Sequence, residues 1–137
     1  MSGRTPRLLL AVVALVLLVG AVVAAIVVVS SRTSYDRQPP PSESGVIRLG
    51  NSASPNLPAP QRPVRLPDGS TALLSIAGVD REGGRLVGHV RVQDGFHTTV
   101  MDLGQGESGE AYGLAVRVVH LWSMPNPRHD AIDVTVS

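Results

Sequence analysis

The hydrophobic pattern of the chain has three regimes, and each predicts a different kind of element. From Leu8 to Val29, 22 consecutive residues are Leu, Val, Ala, Ile or Gly, and none is polar or charged. As an α-helix that run rises about 33 Å, enough to cross a hydrocarbon core of about 30 Å. A cleaved secretory signal is the competing reading, with small residues at Val23-Ala24-Ala25. Its apolar stretch is ordinarily only about 7–15 residues, so a retained anchor is the expectation. Membrane lipid around Leu8–Val29 is then the first partner the sequence implies.

From Ser30 to Pro63 the pattern dissolves. Seven Pro and seven Ser stand among few apolar side chains, and Pro39-Pro40-Pro41 and Asn56-Leu57-Pro58-Ala59-Pro60 favour extended polyproline-like chain. The expectation is a flexible tether over 30–63. Within it, Val46-Ile47-Arg48-Leu49 alternates briefly, as a short edge strand or a docking peptide would.

From Val64 to Ser137 the period is two, punctuated by turns. Leu66-Pro67-Asp68-Gly69-Ser70 should reverse the chain between Val64-Arg65-Leu66 and Thr71–Val79; Asp80-Arg81-Glu82-Gly83-Gly84 precedes Arg85–Val92; and Asp94-Gly95 is a hairpin dipeptide before Phe96–Leu103. Ala111–Leu121, with Leu114, Val116 and Val118 on one face, and Ile132, Val134 and Val136 complete the set. The expected fold class is mainly β: a small antiparallel six-stranded sandwich or partly open barrel over 64–137. Before it come the 30–63 linker, the 8–29 helix and a short basic tail at 1–7.

Charge changes the interpretation only at the ends of the apolar run. Arg4 and Arg7 precede it and Arg32 and Arg37 follow, which leaves the orientation to the layout. From a short basic start and a long carboxyl-terminal region, the expectation is an amino terminus in the cytoplasm and a β domain outside the plasma membrane. All twelve basic residues are Arg, a coding bias of high-GC bacterial genomes. Beyond Ser30 ten Arg face eleven acidic residues, so no basic stripe suggests nucleic acid. With no Cys the chain is neither a lipoprotein nor disulfide-stapled. An apolar run without an ionisable group argues against ion transport by this chain alone. The small pairs Gly20/Ala24 and Ala21/Ala25 would let two helices approach, so a homo-oligomer is one expectation.

Motifs that suggest chemistry all meet plainer readings. Gly104-Gln105-Gly106-Glu107-Ser108-Gly109 matches G-x-G-x-x-G, but a dinucleotide site needs a helix to follow, and a Val-rich strand follows instead. Asp102, Glu107 and Glu110 lack the ligand spacing of a calcium loop. His89, His97, His120 and His129 fall on four segments without zinc spacing; His89 is expected on an exposed face, and His120 as a core histidine on the Leu114 face. Ser108 lies one residue short of a nucleophile elbow. Neither catalysis nor a cofactor or metal is expected, and binding is.

The contact segment is expected at Trp122-Ser123-Met124-Pro125-Asn126-Pro127. Trp122 and Met124 are typical interface anchors, and prolines stiffen the loop that also holds Asn126. Trp122 has a competing role, closing the bottom of the core. The sequence thus implies an anchored extracytoplasmic binding module or accessory subunit whose partner is a protein or other envelope component. The alternatives are an anchored envelope enzyme with a His and acidic site, or a secreted β domain.

Overall fold

The computed structural model describes residues 5–137. The first four residues of the expected basic tail, including Arg4, lie outside the described residues. Two compact units follow one another, one ending at Tyr35 and one spanning Asp36–Ser137.

The first unit is a single helix, α1 (Thr5–Tyr35). It contains a stretch, Leu8–Tyr35, long and apolar enough to span a membrane, with none of its apolar window buried against protein. The helix runs six residues past the apolar run, to Tyr35. Ser31 Oγ donates to the Val27 carbonyl at 2.8 Å, Thr33 Oγ1 donates to the Val29 carbonyl at 2.9 Å, and Arg32 sits in the last turn, where the helix dipole favours a cation.

The second unit is a sandwich of two antiparallel four-stranded sheets. Its strands are β1 (Ile47–Gly50), β2 (Arg62–Arg65), β3 (Thr71–Glu82), β4 (Arg85–Asp94), β5 (His97–Leu103), β6 (Ser108–Ala111), β7 (Leu114–Trp122) and β8 (Ala131–Val136). Sheet A has the order β1-β8-β7-β6 and sheet B the order β2-β3-β4-β5. The mainly antiparallel β class is as the turns imply, with eight strands rather than six.

The two additional strands have separate causes. Ala111–Leu121 is broken by a two-residue turn at Tyr112-Gly113, both in the left-handed region with φ of 55° and 78°, so β6 and β7 form a hairpin. A non-glycine residue seldom adopts that conformation, so Tyr112 gave no turn signal. The other addition is β1, inside the expected tether. It pairs with β8, Ile47 opposite Val134 and Leu49 opposite Ile132, and Leu49 is wholly buried. Residues 30–63 are therefore not a uniform linker. They comprise the end of α1, the strand β1 and the start of β2, which opens at Arg62.

The core lies between the sheets, where Leu49, Leu74, Val90, Val116, Ile132 and Val134 are completely enclosed. Closest approach falls at Gly88. A Cβ there would stand 2.5 Å from Leu121 Cδ2 and 2.9 Å from Ile132 Cδ1, so these two side chains of sheet A pack directly on the backbone of sheet B.

Candidate functional site

Two β-bulges decide which side chains leave the core. In β7 the register with β8 passes from Val118/Val134 to His120/Asp133, so Val119 is an extra residue. Val116 and Val118 face inward, and beyond the bulge Leu121 does, which turns His120 and Trp122 to the outer face of sheet A. The expectation that His120 and Trp122 continue the inward face is thereby corrected. In β3 a second bulge between Ile76 and Gly78 shifts the register against β4.

On the outer face of sheet A a row of polar residues forms across three strands. Arg48 on β1 lies opposite Asp133 on β8, which lies opposite His120 on β7. Arg48 Nε donates to Asp133 Oδ1 at 2.7 Å and Arg48 Nη2 to Oδ2 at 2.8 Å, a bidentate pair, and Trp122 Nε1 donates to Oδ2 at 3.0 Å. Burial pushes the Asp133 carboxyl up, but the Arg48 and Trp122 hydrogen bonds outweigh it and hold the group below its ordinary range. The same hydrogen bond to Asp133 raises the Arg48 guanidinium.

Over this row runs a strap, residues 36–43. His129 Nδ1 is 3.2 Å from the Arg37 carbonyl, Arg48 Nη1 donates to the Pro40 carbonyl, and His120 Nε2 is 3.5 Å from Glu43 Oε1. Proline-rich chain suits the position because it stays extended and has few N–H groups to satisfy.

Between strap and loop lies a cleft of about 380 Å³, lined by Arg37, Gln38, Pro40, Trp122, Ser123, Met124 and Pro125. Two of the three residues expected to make contact, Trp122 and Met124, thus line one cavity. Asn126 does not; its Oδ1 accepts from Arg128 N at 3.2 Å and caps a 3-10 turn over Pro127–His129. The loop is fixed from below, as Met124 N donates at 2.7 Å to Asp130 Oδ1, a buried carboxyl that desolvation raises above its ordinary range.

A second cluster occupies the outer face of sheet B. His89 on β4 places Nδ1 2.6 Å from Asp102 Oδ1 on β5, its direct cross-strand partner, and Nε2 3.0 Å from Asp80 Oδ2 on β3. Glu82 Oε1 lies 4.0 Å from the same nitrogen. The hydrogen bond with Asp102 is the main cause of a raised His89 pKa. His89 is on the outer face as expected, yet its side chain is only 17% exposed.

The acidic residues of the glycine-rich segment do not converge. Asp102 goes to His89, while Glu107 accepts from Gly104 N at 2.7 Å and pairs with Arg85 at 2.8 Å, which together hold its carboxyl low. Ser108 lies in β6, and β7 follows where a dinucleotide fold would place a helix. Among the described residues no group of three His, Asp or Glu is arranged to hold a metal ion.

One exposed anchor escapes sequence reasoning. Phe96, the chain's only Phe, is fully exposed at the β4–β5 tip. Alternation placed it at the start of a strand, whereas it is the second residue of a Gly95-Phe96 turn with φ of 58° at Gly95. Comparison with protein-family models, curated proteins and solved structures gives no match to this chain.

Proposed function

We propose that this chain is a single-pass membrane protein whose β-sandwich stands outside the cytoplasm. There it binds another envelope component, as a recognition module or an accessory subunit of a membrane complex. The observation that carries the reading is the cleft in which Trp122 and Met124 meet the proline strap. It offers apolar walls, polar groups from Arg37 and Gln38, and a loop held by Asp130, so that little order remains to be gained on binding. The helix supports the address, since Leu8–Tyr35 has an apolar surface that no part of the protein buries.

Recovery of partners from gently solubilised membranes tests the reading. Met124→Asp should weaken recovery while leaving the thermal transition of the protein nearly unchanged, because Met124 contributes its backbone, not its side chain, to the Asp130 bond. Full recovery with Met124→Asp together with loss in His97→Ala would reject the cleft and point to a polar site on the exposed side of β5.

A further inference from the structure

Four strands form the edges of the two sheets, and β5 differs from the other three. An unprotected edge is a template for another strand, and proteins guard edges with charge, Pro, shortness or a covering segment. β2 has four residues and contains Arg62, Pro63 and Arg65. β1 also has four, and its Arg48 is tied to the strap. β6 has four, with Gly109 packed so closely on Met101 that a Cβ would stand 2.8 Å from the sulfur. β5 has seven residues, His97-Thr98-Thr99-Val100-Met101-Asp102-Leu103, without Arg, Lys or Pro and with three β-branched residues at its centre.

The backbone of β5 is open on its far side. A two-residue turn makes Asp94 and His97 a hydrogen-bonded pair, so the residues bonded to β4 are 97, 99, 101 and 103. Thr98, Val100 and Asp102 therefore point N–H and C=O away from β4. No other backbone bond among the described residues takes them up. Their side chains share the outer face of sheet B, where Val100 is 47% exposed.

We propose that β5 pairs antiparallel with β5 of a second copy, joining two sheets B into one eight-stranded sheet. The strand is complementary to itself about Val100. Val100 then faces Val100, and Thr98 faces Asp102, whose second oxygen is free to accept the threonine hydroxyl while the first stays with His89. No like charges oppose each other, and about six main-chain hydrogen bonds form. The next step outward brings Phe96 toward Gly104, where the Arg85 guanidinium lies 3.1 Å from the missing Cβ and offers a cationic plane to the ring. The two-fold axis is normal to the sheet, so the outer faces of both sheets A, each crossed by its strap, lie on one side. The inference is independent of the cleft.

The test uses the full chain in membranes, exploiting the absence of Cys from the sequence. Opposed residues of a hydrogen-bonded antiparallel pair have Cα atoms about 5.5 Å apart, within disulfide range. Val100→Cys should form a disulfide-linked dimer under mild oxidation in about tenfold greater yield than Ala77→Cys, an exposed position on the β3 bulge. Val100→Lys, which sets two ammonium groups together at the axis, should lower the dimer fraction of the detergent-solubilised chain while preserving its thermal transition. Equal yields at the two cysteine positions would overturn the proposal. So would crosslinking of Val100→Cys only to a protein of different mass, or a dimer fraction indifferent to Val100→Lys because the helices alone hold it.

Discussion

Asp133 is the residue whose surroundings would be most costly to disturb. Its carboxylate is 1% exposed and depends on Arg48 and Trp122 for its compensation. Removing Arg48 leaves a buried charge without a counter-ion, and we expect Arg48→Ala to reduce the unfolding free energy by about 3 kcal/mol in denaturant titrations. Arg48→Met combined with Asp133→Leu should recover most of that loss, because no buried charge then remains. His89 gives a different signature. Its pKa is raised in the folded protein, so its contribution is complete below the unfolded value of about 6.5 and disappears as pH rises through the higher folded value. Thermal scans should show stability falling over that window in the native sequence and a flatter profile in His89→Gln. Neither arrangement is readable from the sequence. Arg48 and Asp133 are 85 positions apart, and His89 meets Asp102 only through the strand register.

Elements were legible in proportion to how local their causes are. The β3–β4 and β4–β5 hairpins, and the helix through the apolar run, follow from turn dipeptides and continuous hydrophobicity, which act within a few residues. β1 was obscured because Pro and Ser dominate its neighbourhood, while its cause, pairing with β8, lies across the chain. The bulge at Val119 is also a property of a pair of strands. It has no composition signal, yet it decides between the two roles the sequence left to Trp122, turning it from the core side to the wall of the cleft. Packing of the sheets rests on the same kind of distant cause at Gly88. Substitution there should destabilise in order of size, with Gly88→Ala below Gly88→Val and the latter about 1–3 kcal/mol, because Leu121 and Ile132 must move away. Circular dichroism melting of the two variants checks the order.

At the scale of the molecule the compact unit is residues 36–137, where the alternating pattern alone suggested a domain over 64–137. A fragment beginning at Val64 lacks Leu49 from the core and Arg48 from Asp133, and we expect it to show no cooperative transition where a fragment beginning at Asp36 does. Pairing of the first strand with the last also bears on how the protein is made. Sequential hairpins let sheet B assemble from β2 onward as each strand is synthesised, with short loops to close. In sheet A, β6, β7 and β8 can pair in turn as they emerge, but β1 comes first and its neighbour in the sheet, β8, is completed only at residue 136. Throughout elongation Ile47 and Leu49 thus remain a nascent edge without a mate, and closing the loop to β8 becomes the slow step of maturation. Premature termination between β5 and β8 would yield a chain with one finished sheet, an orphan β1 and an exposed apolar layer, a natural substrate for quality-control proteases.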